Sequence, residues 1–427
     1  MSDERVRPCV LLFAPTTGYQ IRMFDEAAAR LGIDLVLATD RCDRLDDPWN
    51  DRAIPVRFHD DGAAVRAVRE ALGSRPVAGV LAVGDRPAVL AATVASVLGL
   101  PWHAEAGARA GCDKRLFRAA QQAAGLPCPW TRTLDAGEAA PADVAFPCVV
   151  KPLVLSGSRG VIRADDAASL ARAVARVRAI LDAPDVRALR DPAASRLLIE
   201  GYIDGHEFAL EGLMERGDFQ VLALFDKPTP LAGPFFEETI YLTPTAATRA
   251  VAHDAAAAVS AAARAAGLWH GPVHAECRLT ADGTVVVLEA AARPIGGLCA
   301  RALRFVSDGG DALSLEQVLL EHAVGRGLHA TRQPGASGVM MVPIARAGVL
   351  REVTGQAAAR AVPLVRDVVI SAVPGQVLHT LPESSSYLGF IFADGLDDGE
   401  VLTALTTAHA ALSCVVAPMV PLQRADG

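Results

Sequence analysis

The sequence predicts a mixed fold, α/β at the start and α+β from the middle onward, on three observations. Strand-length apolar runs alternate with helical segments over the first 110 or so residues, the pattern of a parallel sheet covered on both faces. From Gly271 to Gly297 the chain reads GPVHAECRLTADGTVVVLEAAARPIGG, an antiparallel hairpin. Beyond residue 330, short strands near 338–344, 368–373 and 387–393 precede a helix over about 399–412. A chain of 427 residues holds roughly two to four packed units, and the boundaries are placed at 1–110, 111–330 and 331–427.

In the first unit, Cys9 to Ala14 is a buried-strand pattern. The next segment brings Met23, Phe24, Ala27 and Leu31 to one helical face, and Gly32 closes it. Asp34 to Thr39 is a second strand, Ala64 to Leu72 a helix, Val77 to Val83 a third strand, and Pro87 to Leu98 a helix with proline in its first turn. The dinucleotide fingerprint GxGxxG is absent, so Gly18 reads as a turn residue and the unit as a scaffold. Loops 16–18 and 84–86 leave the carboxyl ends of strands, where an open sheet borders a pocket.

In the middle unit, Asp113 is an N-cap for a helix with Leu116, Phe117, Ala120 and Ala124 on one face, ended by Gly125 and Pro127. Lys114 gains nothing from the helix dipole there. It is a surface lysine or it serves an anionic ligand. Phe146 to Val150 is a strand ending at Lys151, and the turn Ser156-Gly157-Ser158-Arg159-Gly160 follows. The lysine precedes the glycines, so this is not a P-loop. The turn can offer N–H groups and a cation to phosphate oxygens, or be an ordinary hairpin turn. Arg196 to Glu200 is a strand, and after Gly201-Tyr202-Ile203-Asp204-Gly205 comes another with Glu207 and Glu211 on one face, a placement often solvent-facing. Phe219 to Phe225 continues the sheet. The loop 226–243, with Lys227, Glu237 and Glu238, is of the long kind that is commonly functional. Thr248 to Ala266 is an alanine-rich helix closed by Gly267.

The hairpin carries the sharpest signal. Val273 to Leu279 alternates apolar and polar residues, Thr284 to Glu289 is β-branched, and Asp282-Gly283 suits a two-residue type I′ turn. With Ala281 facing Thr284, Glu276 faces Glu289 on one side of the ribbon. Like charges so opposed repel, and a divalent cation offsets that repulsion with hard oxygen ligands. Arg293 stands four residues on, within reach of an anion bound there, and Gly296-Gly297 ends the strand. His274 falls on the metal face, where it orients a substrate, acts as a base or makes a structural hydrogen bond.

Composition narrows the class. Hydrophobic content of 51% excludes general disorder, and 49 acidic against 41 basic residues without a long run of one sign argue against a nucleic-acid surface. Eight cysteines without a CxxC disfavour zinc sites and disulfide frameworks and suit a reducing, cytoplasmic setting. The N-terminal apolar run is too short for a signal peptide, and no segment reads as a membrane span.

The ordered set Lys114, Lys151, Ser/Gly loop 156–160, Glu200-Gly201-Tyr202-Ile203, Glu207, Glu276, Glu289 and Arg293 resembles the ATP-grasp superfamily of carboxylate-amine ligases, over most of the chain. The HAE strand and the EAAARPIGG tail look most like its L-amino-acid ligases. The resemblance implies a Rossmann-like pre-ATP-grasp domain (1–110), an ATP-grasp domain with antiparallel sheets (111–330) and a C-terminal α+β lid (331–427). It implies that Lys114 and Lys151 contact ATP phosphates, that the Ser/Gly loop closes over them, that Glu200 to Ile203 line the adenine slot and that Glu207 holds the ribose. Glu276 and Glu289 would ligate Mg²⁺, for which Mn²⁺ can substitute. Arg293, Lys151 and His274 are the catalytic candidates, and Glu238, Gly296 and Gly297 border the substrate. Ala291 departs from the family's Glu-x-Asn-x-Arg and leaves out a metal-binding asparagine.

The implied reaction activates a small carboxylate, such as an amino acid, as an acyl phosphate and joins it to an amine. SSSYLGF at 384–390 reaches that site or is a serine-rich turn. The partners expected are small molecules, with no nucleic acid and no membrane, and a homodimer is compatible. Phosphorylation of bicarbonate or formate on the same scaffold, and nucleotide sensing without catalysis, are the competing readings.

Overall fold

The structure is a computed structural model and describes residues 7–16, 20–41 and 53–419. Thr17 and Gly18 of the first loop, the start of the N-terminal segment and Cys42 lie outside the described residues.

Apolar runs bounded by helices build a parallel sheet in the order Ile54–Pro55, Asp34–Thr39, Cys9–Phe13, Gly79–Ala82. Cys9–Phe13 is buried along its whole length, as a strand covered on both faces must be. Helices Ile21–Leu31, Asp61–Leu72 and Asp85–Leu98 accompany it. The last begins two residues before the expected proline, because Asp85 already occupies its first turn. The strand order reverses beside Cys9–Phe13, so the loop after Gly79–Ala82 opens at the switch point.

A second, antiparallel sheet of four strands runs Thr131–Leu134, Leu197–Gly201, Cys148–Pro152, Ile162–Ala164. The helix Ala167–Leu181 covers it, started by a capping box between Asp166 and Ser169. An eight-stranded antiparallel sheet follows, in the order Val285–Ala291, Gly271–Leu279, His206–Glu215, Asp218–Asp226, Ile240–Thr243, Ala336–Val342, Gly389–Gly395, Val365–Ile370. Its last three strands come from beyond residue 330, so the C-terminal segment completes the sheet that carries the hairpin. The helix Ala246–Ala266 packs beneath; it starts earlier than alanine content suggested, because Thr245 and Thr248 form a capping box.

One apolar core runs from the parallel sheet through the helix Leu315–Ala323 into the central strands. The close approach is explicit at Gly79, where a Cβ would lie 2.0 Å from the Ala323 carbonyl oxygen. The helix Lys114–Ala123 differs from its expected face. It buries Phe117, Arg118 and Gln121, because Arg118 has a buried carboxylate to meet.

Candidate active site

The hairpin at the edge of the eight-stranded sheet pairs Glu276 with Glu289, as expected, by a different route. Thr280 N–H donates to Thr284 O and Gly283 N–H to Thr280 O, each at 3.0 Å, so the connection is a three-residue loop and not a two-residue type I′ turn. Gly283 supplies its positive φ of 85°, and Asp282 accepts from Thr284 N–H at 3.0 Å. The register near the loop is therefore Leu279 to Val285 and Cys277 to Val287, one residue off the expected pairing. A bulge at Leu288 restores it, so Glu276 opposes Glu289 after all.

Both carboxylates line a cavity of about 450 Å³ between the four- and eight-stranded sheets. Beneath it, Lys227 Nζ meets Glu207 at 2.7 Å, Glu238 at 2.5 Å and Glu276 at 2.9 Å. Burial alone would lower the Lys227 pKa; the three carboxylates more than offset it and hold the ammonium charged. Burial and the neighbouring Glu276 charge push Glu238 up to about 8. Burial opposes the ionisation of Glu276, but Lys227 and His274 outweigh it and keep its carboxyl well below the usual range. Glu289 makes no hydrogen bond or ion pair through its side chain among the described residues, although Arg293 attracts it. A half-buried carboxylate facing another suits a hard cation, so Glu276 and Glu289 fit Mg²⁺. The Glu207–Glu238–Glu276 group also comes within 4.8 Å, but Lys227 already fills its centre.

His274 sits two residues before Glu276. Its Nδ1 pairs with Glu211 and its Nε2 lies 3.9 Å from Glu276. Burial works against its charge, yet Glu211 and then Glu276 raise its pKa to about 9. It is therefore an imidazolium at neutral pH. Glu207 and Glu211, read as a solvent-facing pair, are buried instead, because the strand His206–Glu215 lies inside the sheet with its polar face toward the cavity. Arg293 is fixed from the first unit: its Nε donates to Asp85 at 2.5 Å and its Nη1 to Pro294 O at 3.1 Å.

Across the cavity, Lys151 pairs with Glu200, whose carboxylate also accepts from Arg118 at 3.0 and 3.3 Å. Burial would raise Glu200, but Arg118 and Lys151 hold it at about 2. Lys151 fares differently. Burial lowers it to about 8, since it shares its one carboxylate with Arg118. Lys114 donates to Leu155 O at 2.6 Å, which points it into the cavity. Ser156, Gly157 and Ser158 line the cavity, and a Cβ on Gly157 would lie 2.7 Å from Ser385 Cβ, so the serine-rich turn does reach the site. Arg159 and Gly160 do not line it: Arg159 pairs with Asp185 at 2.5 Å, and Gly160 N–H is held by Pro382 O. Glu200, Gly201, Tyr202, Ile203, Glu207, Glu238, Gly296 and Gly297 all do.

Sequence reasoning did not single out Lys227 as the hub, Glu211 as the partner of His274, Asp85 as the anchor of Arg293, or Tyr241, whose hydroxyl donates to Glu238 at 2.8 Å. The signal for Lys227 was present in a long loop with an isolated lysine among acids.

Comparison with known proteins fits this geometry. The ATP-grasp domain family matches residues 144–302, the ATP-grasp N-terminal domain family residues 25–102, and the L-amino acid ligase C-terminal domain 2 family residues 340–417. The chain thus carries, in order, matches to an ATP-grasp N-terminal domain, an ATP-grasp domain and an L-amino acid ligase C-terminal domain. Its fold is similar to that of the L-amino acid ligase from Bacillus licheniformis, with a TM-score of 0.80 at 25% identity over 96% of this chain and 99% of that one. The N5-carboxyaminoimidazole ribonucleotide synthetase from Thermotoga maritima shares the fold at 13% identity, with a TM-score of 0.67 over 95% of this chain and 99% of that one. In sequence it is similar to the uncharacterised protein y4rH of Sinorhizobium fredii, 24% identical over 322 residues, which are 72% of this chain and 62% of that protein. The match thus spans about three fifths of that relative's length.

Proposed function

We propose that the protein activates a small carboxylate, an amino acid in the first instance, as an acyl phosphate at the expense of ATP, and joins it to an amine to give an amide or dipeptide, ADP and phosphate. One observation carries this reading: an unpartnered Glu289 opposite Glu276, in one cavity with Lys114, Lys151 and Arg293. The similarity to an L-amino acid ligase favours an amino acid as the carboxylate.

A carboxylate is a poor electrophile at neutral pH. Its oxygen attacks the γ-phosphorus, ADP leaves, and the amine then displaces phosphate from the acyl carbon. Lys114 and Lys151 balance the phosphate charge from one wall. Arg293, its fork already oriented by Asp85, holds the carboxylate or acyl phosphate. His274 contributes positive charge to that anion; with a pKa of about 9 it is not free to act as a base at neutral pH. Glu276 and Glu289 would hold Mg²⁺, which would neutralise charge on the transferring group. The adenine lies against Glu200 to Ile203 in this reading, and Glu207, bound to Lys227 and Arg278, sits at the ribose end.

The division of labour follows. Residues 1–110 anchor Arg293 through Asp85, residues 111–330 hold nucleotide and metal, and residues 331–427 close the cleft with Ser385 and Tyr387. Among the described residues, no helix is long and apolar enough to cross a membrane. The described cysteines are free, as a reducing cytoplasm would keep them. The test is ADP release from the purified protein with pairs of amino acids and Mg-ATP. ADP that depends on both partners supports the reading; bound ATP with no ADP from any pair speaks for nucleotide sensing without catalysis.

A further inference from the structure

The far end of the same central strands carries a second group of reactive side chains. Glu215 ends the strand His206–Glu215, His270 immediately precedes the strand Gly271–Leu279, and His322 lies in the last turn of the helix Leu315–Ala323. Met214 pairs with Gly271, so the sheet register itself places Glu215 beside His270. One potential ligand atom from each residue lies within 4.8 Å of the other two. The two rings stack with centroids 4.4 Å apart. His322 Nε2 is 2.7 Å from one Glu215 oxygen, and His270 Nδ1 is 3.7 Å from the other.

The protein does not satisfy these nitrogens. His270 and His322 are 5% and 2% exposed, and His270 Nδ1 and His322 Nε2 are buried without a hydrogen-bond partner among the described residues. The short approach of His322 to Glu215 is misaligned for a hydrogen bond. A buried polar group left unpaired is costly, and here two face the same carboxylate. Nearby His103 shows the contrast: its Nε2 meets Pro272 O at 2.9 Å and its Nδ1 accepts from Trp269 N–H at 3.1 Å, so both its nitrogens are used.

We propose that Glu215, His270 and His322 form a binding site for a first-row divalent cation, with zinc the best match, separate from the nucleotide cavity. Two imidazoles and a carboxylate are the donor set of a three-ligand zinc site whose fourth position takes water. Burial lowers the pKa of His270 to about 4 and also lowers that of His322, which keeps both in the neutral form that ligates. Glu215, with 37% of its side chain exposed, gives the ion a path from solvent. A cation there ties the helix Leu315–Ala323 to the ends of two central strands, a structural role independent of turnover.

The experiment strips the full-length protein with chelator and incubates it with Zn²⁺ or Co²⁺, with excess Mg²⁺ and ADP filling the nucleotide site. After gel filtration, metal content is measured by mass spectrometry and Co²⁺ geometry by visible absorption. The expected result is about one equivalent retained by the wild type and by Glu276→Gln, with the absorption of a low-coordinate site. Glu215→Gln and His270→Gln should each lose more than about 100-fold in affinity, with metal-free unfolding midpoints near the wild type. No retention by the wild type, equal retention by either of those variants, or retention lost instead in Glu276→Gln would each overturn the proposal.

Discussion

Glu276 and Glu289 face each other across the edge hairpin because two one-residue displacements cancel: the loop at 281–283 shifts the register and the bulge at Leu288 shifts it back. Glu276 is held from below by Lys227 and flanked by His274, whereas Glu289 has neither. The asymmetry suits a clamp with one fixed jaw and one free to meet a cation.

Removing the free jaw should cost turnover and spare the fold. Glu289→Gln is expected to lower kcat by about 10²–10³, the size of losing one preorganised electrostatic contact. Its thermal midpoint should not fall, since its carboxylate makes no ion pair to lose. Steady-state ADP release together with thermal unfolding checks this, and a Glu289→Gln variant with wild-type turnover contradicts the metal assignment.

Lys227→Met should act mainly on stability. It leaves Glu207 and Glu276 without their shared counter-charge and Glu238, pushed up to about 8, without its nearest donor, and breaking a buried pair in this way costs about 3–5 kcal/mol. Urea unfolding at pH 7 measures it. The deficit should shrink in acid, where the carboxylates protonate; a deficit independent of pH would mean that packing, not charge, holds the hub.

His274 makes stability depend on pH in a definite direction. Its folded pKa of about 9 lies above the ordinary 6.5, so its contribution is complete below about pH 6.5 and is lost as pH rises through 9. The shift is worth roughly 3 kcal/mol at most. The stability gap between wild type and His274→Gln should therefore be wide at pH 6 and narrow above pH 9, and an equal gap at both ends contradicts the imidazolium.

Asp85→Asn tests whether the first unit positions the Arg293 fork. Asparagine keeps the shape but weakens the contact, and a misplaced positioning group costs about 100-fold. The loss should fall on kcat and on KM for the carboxylate, with KM for ATP little changed. A rise confined to the ATP KM would assign Asp85 to the nucleotide side.

The physics explains which parts were legible in the sequence. Period-2 alternation and Asp282-Gly283 revealed the hairpin, yet the bulge at Leu288 left no mark, because an extra residue inside the apolar run 285–288 keeps the run apolar. Glu207 and Glu211 sit on an alternating strand, the pattern of a solvated face. Only the partners Lys227, Arg278 and His274, at least 20 residues away, make that face an interior one. Arg118 left no mark for the same reason: nothing in an arginine among helix formers shows that it is buried until Glu200 is folded against it. Lys114, Lys151 and the Ser/Gly loop were found through their order along the chain, whereas the pairing of Arg159 with Asp185 depended on a helical turn that the spacing did not disclose.

The central claim is that a carboxylate oxygen attacks ATP. It is tested most directly with an amino-acid substrate labelled with ¹⁸O in its carboxylate, turned over with Mg-ATP and an amine, and followed by ³¹P NMR of the released phosphate. The account predicts one ¹⁸O transferred into each phosphate. Amide formation with unlabelled phosphate, or labelled phosphate from bicarbonate alone, would contradict it.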